Sequence, residues 1–297
     1  MRCKVCNSPK VLLEYDGIIR NGGLGKYTKS NVKMYKCESC GLIWHDQLLD
    51  LETYYETAEY RDELEGTSAE NDFYRLHDWE NYDKFRYTGT DIFRDKNVAD
   101  IGCGCGAFLD FLYGVSKNVI GIEPFETYRN VMSRKGFDTF AYAEDAKEKW
   151  SGKIDVVTSF DVIEHVEDPK QFIRDVYDLL SEEGIGIIGT PTDAPIMREL
   201  LGEIYERTQL FSTQHLYVFS EKNLEIMAKE VGFKNVKTKY FQRYGIKNFI
   251  GWIKDKKPNS EVKSSNISMT IDEAWKNELE SHKISDYIVV YLRKGNC

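Results

Sequence analysis

Val98-Ala99-Asp100-Ile101-Gly102-Cys103-Gly104-Cys105-Gly106 reads as a short apolar strand that carries an acid near its end and runs into a glycine-rich turn. The following Ala107-Phe108-Leu109-Asp110-Phe111-Leu112 reads as the start of a helix. A strand, a tight glycine turn and a helix N-terminus form a nucleotide cradle, because glycine lets the backbone turn sharply and approach a ligand closely. Gly102-x-Gly104-x-x-Ala107 also matches the dinucleotide fingerprint, so the surrounding residues decide what the cradle holds. Asp100 stands just before the first glycine, and a buried carboxylate there needs a partner, which an ammonium group on the ligand supplies. The next strand ends Gly121-Ile122-Glu123-Pro124, an acid about 20 residues downstream that is placed to accept both hydroxyls of a ribose. These residues describe a ligand with a ribose and an amino group.

Outward from the cradle, strand-like and helix-like segments alternate. Strands are expected over Asn97–Ile101, Val119–Ile122, Asp138–Tyr142, Ile154–Phe160 and Ile185–Ile188, and helices over Ala107–Tyr113, Thr127–Lys135, Pro169–Leu180 and Ser220–Val231. Such alternation implies an α/β fold with a parallel sheet covered on both faces. Tyr287-Ile288-Val289-Val290-Tyr291-Leu292 is a further strand, with Phe233–Phe241 as its expected antiparallel partner, and Lys254–Ser265 reads as a loop. Upstream, Leu48-Leu51-Tyr54-Tyr55 has helical spacing, and a second helix is expected from Phe73 to about Phe85. The rings at Tyr54, Tyr55, Tyr60, Phe73, Tyr74, Trp79, Tyr82, Phe85 and Tyr87 are read mainly as packing groups, one or two of which close over the ligand or line an acceptor pocket.

The chain has 297 residues and a net charge of −9, which argues against a sequence-independent grip on nucleic acid. No run reaches the roughly 18 apolar residues of a membrane span, and no apolar signal core follows Met1-Arg2-Cys3-Lys4. A cytoplasmic setting is expected, in which the seven cysteines are thiols or metal ligands rather than disulfides. Cys3-x-x-Cys6 and Cys37-x-x-Cys40-Gly41, separated by 30 residues, match a zinc ribbon. Four thiolates close a tetrahedral site, so the zinc is expected to be structural. Cys103 and Cys105 are read as small residues of the cradle, and Cys297 carries no signal.

After the fourth strand comes Phe160-Asp161-Val162-Ile163-Glu164-His165-Val166-Glu167-Asp168-Pro169. With this stretch the chain resembles the class I S-adenosylmethionine-dependent methyltransferases, in the branch of the ubiquinone-biosynthesis O-methyltransferases and many enzymes of surface-glycan and antibiotic-sugar clusters. The resemblance spans about residues 70–297. It includes Gln214-His215-Leu216-Tyr217-Val218-Phe219-Ser220, Val231-Gly232-Phe233, Arg243-Tyr244-Gly245 with Asn248 and Trp252, and Ser285-Asp286. It implies a Rossmann-like, seven-stranded, mostly parallel sheet. The implied organisation is a zinc ribbon over 1–46, a helical linker or cap over 47–95, and a methyltransferase domain over 96–297 with an insertion at about 191–217.

The resemblance also implies site roles. Asp100 and the backbone of Gly102, Gly104 and Gly106 would hold the methionine part, Glu123 the ribose, Glu144 the adenine, and Phe160 would pack near the sulfonium. His165 is the natural base for a hydroxyl acceptor at neutral pH. The ubiquinone enzymes hold a divalent metal on E-x-x-E-H. Here the pattern is Asp161-x-x-Glu164-His165, with one arm shortened, while in the similar sugar methyltransferases the Glu-His pair contacts the acceptor or acts as base. A purely structural alternative has Glu164 and His165 cap the next helix. His215, in the insertion expected to fold over the acceptor, is a second candidate. The expected acceptor is a small molecule, a sugar or nucleotide-linked sugar, methylated on oxygen. The similar antibiotic-sugar C-methyltransferases carry a further large domain. Two other readings are a zinc-ribbon RNA methyltransferase, disfavoured by the charge and by the lack of an Asn-Pro-Pro-Tyr-type motif, and a non-catalytic S-adenosylmethionine-binding module, disfavoured by the intact Asp100, Glu123 and Glu164-His165.

Overall fold

The computed structural model describes residues 1–46, 49–258 and 260–295. Leu48 and Cys297, named above, lie outside the described residues. The strands are β1 (Val11–Gly17), β2 (Val32–Cys37), β3 (Ile43–Trp44), β4 (Asn97–Ile101), β5 (Asn118–Ile122), β6 (Asp138–Phe140), β7 (Ile154–Phe160), β8 (Leu180–Pro191), β9 (Tyr217–Val218), β10 (Asn235–Phe241) and β11 (Tyr287–Arg293). They form a seven-stranded sheet in the order β10-β11-β8-β7-β4-β5-β6 and a four-stranded sheet in the order β1-β2-β3-β9. In the large sheet β4 pairs in parallel with both β5 and β7, so the strand order reverses direction at β4. In open α/β sheets the ligand crevice lies at the carboxyl ends of the strands at such a switch point. This is the Rossmann-like sheet expected from the sequence.

The chain divides into two compact units. One comprises Asp50–Gly189, Glu225–Lys237 and the chain from Val290 onward. Its central strands are apolar on both faces: Val98, Ala99 and Ile101 on β4, and Val156 and Val157 on β7, are buried, as sequestered parallel strands require. The helix Pro169–Leu179 shows why the flanking layers form. Asp168 caps it by accepting from the backbone N–H of Lys170 and Gln171 at 3.0 and 2.9 Å, and Pro169 sits where no N–H is needed. Phe172, Ile173, Val176 and Leu179 then bury one face, each side chain contributing about 1.5–3 kcal/mol.

Two local expectations are corrected here. The strand expected to reach Tyr142 stops at Phe140, because the Asp145 carboxylate accepts from the Tyr142 N–H at 3.0 Å and starts a helix, Ala143–Trp150, that the sequence reading lacked. The single helix expected over 73–85 is two, Glu70–His77 and Glu80–Thr88. Between them the backbone tightens to three-residue turns, Asn81 N–H to Asp78 O at 3.3 Å and Tyr82 N–H to Trp79 O at 3.2 Å. Leu51–Glu56 and Glu59–Glu65 precede this pair in the same unit.

The other unit comprises Met1–Leu49, Thr190–Leu224 and Thr238–Val289. Strands β1 and β2 pair from Val11↔Cys37 to Gly17↔Val32, and β3 pairs with β9 through Ile43↔Val218 and Trp44↔Tyr217. The ribbon segment and the 191–217 insertion share one core, in which Ile19, Met34 and Ile43 pack with Met197, Leu201, Phe211 and Val218. Buried His45 ties them further, its Nε2 lying 3.1 Å from both Ser212 O and His215 O. No helix among the described residues is long and apolar enough to cross a membrane.

His77 joins three of the upstream helices, with Nε2 3.0 Å from Glu65 Oε1 and Nδ1 3.0 Å from Glu80 Oε1. Burial pushes His77 toward the neutral form, but the two carboxylates outweigh it and hold its pKa above the ordinary 6.5. That contribution to stability is complete below 6.5 and is lost as pH rises through the elevated value. Glu65 and Glu80 are held below their ordinary values despite burial, chiefly by His77, so their contribution disappears only in acid. The melting temperature should therefore fall as pH is raised from about 6 to about 9, a loss on the order of 1 kcal/mol. His77→Asn should flatten that slope; a wild-type slope retained by the variant would assign it elsewhere.

Candidate functional site

The cradle is built where β4 ends. Gly104 has φ +56°, and a Cβ there would lie 2.2 Å from the Phe73 ring tip. A Cβ on Gly102, at φ +76°, would meet Val162 Cγ2 at 2.2 Å. Both positions thus need glycine for conformation and for space. Gly106 stands at the N-cap of the helix Ala107–Leu112. Cys103 and Cys105 are buried, and burial pushes the Cys105 thiol up to about 12 and the Cys103 thiol well above its ordinary value, so both stay protonated and unreactive.

Asp100 is 1% exposed. Its Oδ1 accepts from the Thr158 hydroxyl at 2.6 Å, while Oδ2 is buried with no hydrogen-bond partner among the described residues. Burial raises its pKa, against the pull of Lys84. Glu123 is also buried. Its Oε2 accepts from the Gly104 N–H at 2.9 Å and its Oε1 from the Phe125 N–H at 3.0 Å, which leaves each oxygen a further lone pair. Burial raises the Glu123 pKa, opposed first by Arg61. Phe160 ends β7 and packs against Tyr87 with ring centroids 5.6 Å apart. Glu144 lies exposed in the first turn of Ala143–Trp150.

The upstream helices supply the rest of this site. Phe73 covers Gly104, and the Tyr74 hydroxyl donates to Cys105 O at 2.8 Å. The Arg61 guanidinium pairs with Glu65 and lies 4.9, 5.2 and 5.9 Å from the ring centroids of Tyr60, Phe73 and Tyr128. Lys84 Nζ is 5.3 Å from the Phe108 ring centroid and 5.9 Å from that of Phe160. One turn earlier on the same helix, Asn81 is 3% exposed, yet neither its amide oxygen nor its nitrogen has a partner among the described residues. Asn81 and Lys84 stand three residues apart and so share a helix face. The sequence reading named several of the rings but missed Arg61, Asn81 and Lys84. One signal was present: Arg61 is the sole cation in the acidic run Leu51–Gly66.

The Asp161–His165 turn follows β7, with Asp161 at φ +56° and the His165 N–H donating to Val162 O at 2.9 Å. Glu164 is 1% exposed, and its Oε1 lies 4.0 Å from His165 Nε2. The Tyr55 hydroxyl is 2.7 Å from His165 Nδ1. Burial, reinforced by Tyr60, Tyr54 and Glu164, raises the Tyr55 pKa well above 10.0, so it remains a phenol. Glu164 and His165 do not cap the next helix, since Asp168 does. His215 belongs to the other unit, where its N–H donates to the Ser212 hydroxyl at 3.2 Å and its carbonyl faces His45.

Cys3, Cys6, Cys37 and Cys40 converge, with all four Sγ atoms within 4.8 Å of one another. Cys3–Cys40 and Cys6–Cys37 sulfur separations are 3.6 and 3.5 Å. A tetrahedral zinc with bonds of about 2.3 Å sets its sulfurs about 3.8 Å apart, so the cluster fits that ion. The two knuckles have the same form. Asn7 and Gly41, each just past its second cysteine, take φ +56° and +80° and return their N–H to Cys3 O and Cys37 O at 3.1 and 2.8 Å.

A mostly parallel sheet with its switch point at β4, a glycine turn there, and an acid at the end of each of two adjacent strands define a cofactor-binding α/β domain. The family model for the methyltransferase domain matches residues 70–238, and the chain belongs to that family. The ubiquinone biosynthesis O-methyltransferase of Actinobacillus pleuropneumoniae is 30% identical over 107 residues, covering 32% of this chain and 45% of that one. That of Caulobacter vibrioides is 32% identical over 105 residues, covering 33% and 42%. The chain thus spans less than half the length of these curated relatives. A chain of the complex between the Haloferax volcanii Trm112 methyltransferase activator and a methyltransferase superposes with a TM-score of 0.53 at 10% identity, over 83% of this chain and 98% of that one, a likeness of fold alone.

Gly104→Ala should destabilise the protein by about 1–3 kcal/mol in chemical denaturation, from backbone strain plus the clash with Phe73. Adding Phe73→Ala should remove the clash but not the strain. A double variant that loses the full sum of the two single effects would show that the ring and the turn do not compete for space.

Proposed function

We propose that this protein transfers a methyl group from S-adenosylmethionine to a small-molecule acceptor, by O-methylation of a sugar or nucleotide-linked sugar. The observation that carries the cofactor reading is the unpartnered Oδ2 of Asp100, a buried anion beside the glycine turn that lacks the cation it needs. The methionine ammonium supplies that cation. Lys84 and the unpartnered amide of Asn81 suit the methionine carboxylate, and the remaining lone pairs of Glu123 suit the two ribose hydroxyls. Gly102, Gly104 and Gly106 keep side chains out of the way, Phe160 flanks the sulfonium, and Glu144 is assigned to the adenine.

When bound, the cofactor supplies an electrophilic methyl on sulfur. The residues of the chain position the acceptor, exclude water and remove its proton. His165 is the base. In its working tautomer Nδ1–H donates to the Tyr55 oxygen at 2.7 Å, and Nε2 offers the lone pair that takes the hydroxyl proton. Glu164, 4.0 Å from Nε2, stabilises the imidazolium that forms. Tyr55 is thereby a positioning residue. His215, fixed by the turn that His45 anchors, is assigned to the acceptor side. The names of the curated relatives support transfer to oxygen, and the likeness of the Asp161–His165 motif to sugar methyltransferases supports the acceptor class. Cys3, Cys6, Cys37 and Cys40 hold a structural zinc.

Calorimetry with S-adenosylhomocysteine separates the binding roles from the catalytic ones. Glu123→Ala and Asp100→Asn should each weaken binding about tenfold or more, and Asp100→Asn should also raise the melting temperature of the free protein, because it removes a buried charge. His165→Gln should bind normally but lose about 10²–10⁴ in turnover, and Tyr55→Phe about tenfold. Unchanged affinity in both acid variants would end the cofactor assignment, and full turnover by His165→Gln would end that of the base. Purified protein should contain one zinc per chain by elemental analysis, and a chelator should lower its melting temperature. A metal-free protein that melts at the same temperature as the loaded one would refute the zinc site.

A further inference from the structure

The unit containing the cysteine cluster has a cavity of about 510 Å³, lined by residues that include Leu24, Gly25, Tyr27, Arg207, Lys256 and Lys257. That volume is in the range of small-molecule sites, about 300–1,000 Å³. Three of its lining residues are cations, and none of those described is an acid. The whole chain carries −9, so this grouping runs against the overall balance.

The cations arrive from two separate elements. Lys256 and Lys257 follow the helix Ile246–Asp255, and Lys256 turns the chain away at φ +52°. Lysines past a helix C-terminus also suit the helix dipole, so these two alone would say little. Arg207 has no such reason. It sits in a single turn of π-helix, Glu206–Leu210, a geometry that recurs at functional sites. Its Nε is buried without an acceptor among the described residues. Its acidic neighbour Glu206 is engaged by Arg198, Nε to Oε1 at 3.0 Å. The lining therefore includes a guanidinium whose buried Nε has no acceptor among the described residues, two exposed lysines and the Tyr27 ring.

We propose that this cavity binds a diphosphate group, with Arg207 reading phosphate oxygens in a fixed fork and Lys256 and Lys257 neutralising the charge. The Tyr27 ring offers a stacking face for the group that the diphosphate carries. That the bearer of the diphosphate is a nucleotide-linked sugar rests on the acceptor class proposed above; the diphosphate site itself does not.

The test is calorimetry on the full chain with inorganic pyrophosphate, without S-adenosylmethionine, followed by uridine diphosphate. Pyrophosphate should bind once per chain and more weakly as salt is raised. Arg207→Gln and Lys257→Gln should each weaken binding about tenfold and leave S-adenosylhomocysteine affinity unchanged, which also shows that the variants fold. Tighter binding of uridine diphosphate than of pyrophosphate supports the proposal and adds a contact to the nucleoside; equal binding supports a diphosphate site alone. No binding of pyrophosphate, or binding that both variants retain, overturns it. So does a short RNA that binds through the same residues where pyrophosphate does not. Because no step uses methyl transfer, failure here leaves the catalytic reading standing, and loss of that reading leaves this measurement valid.

Discussion

Asp100 is a carboxylate taken out of water with only one of its oxygens hydrogen-bonded among the described residues. An uncompensated buried charge is among the costliest things a fold can carry, and the cofactor-binding unit is arranged around it. The residue sits at the end of the strand where the sheet order reverses, and at such a point the connections leave toward opposite faces and a crevice opens beyond the strand ends. Thr158 on the adjacent strand satisfies one oxygen, and Lys84 lends distant positive charge. The second oxygen has no hydrogen-bond partner among the described residues, and it is this oxygen to which the proposed cofactor ammonium is assigned. Glu123 differs in an instructive way: two backbone N–H groups already hold it, so it is oriented before any ligand arrives. One acid supplies unmet charge and the other supplies aim.

The second unit solves a different problem. A four-stranded sheet with strands as short as Ile43–Trp44 and Tyr217–Val218 buries little on its own. It is stabilised from two directions. The four cysteines bring the two knuckles together with their sulfurs within 4.8 Å of one another, in a geometry that fits a zinc ion, and the residues of the 191–217 segment complete its core and supply its fourth strand. The insertion is consequently fixed by the ribbon, through β9 and His45, rather than free to hang as a loop.

What the sequence made legible follows from the range of the interactions. The cradle, the acids at the strand ends and the two knuckles are local patterns, and each lies where its spacing implied. Element boundaries failed where a side chain overrode propensity, as when Asp145 captured the Tyr142 N–H and turned a strand end into a helix start. The cap contacts were not legible at all. Tyr55 to His165 spans 110 residues, and nothing in a helical pattern says which face meets which turn. The orphaned amide of Asn81 is visible only once burial is known. Arg61 left a trace as a lone cation among acids, but its electrostatic influence on Glu123 could not be named from that.

The helices upstream of β4 converge on the residues to which the proposed chemistry is assigned. Phe73 lies on Gly104, Tyr74 holds Cys105 O, Arg61 acts on Glu123, Lys84 on Asp100, and Tyr55 on His165. Packing alone gives no reason to set cations within electrostatic range of the two acids or a phenol 2.7 Å from the one imidazole of that turn. Burial raises the pKa of both acids, and in each case a cation from these helices opposes it, Lys84 at Asp100 and Arg61 at Glu123. The zwitterion of the proposed cofactor would meet the Asp100 carboxylate with its ammonium and the Lys84 ammonium with its carboxylate. On that proposal the upstream helices and the glycine turn, remote in sequence, act on one ligand from two sides.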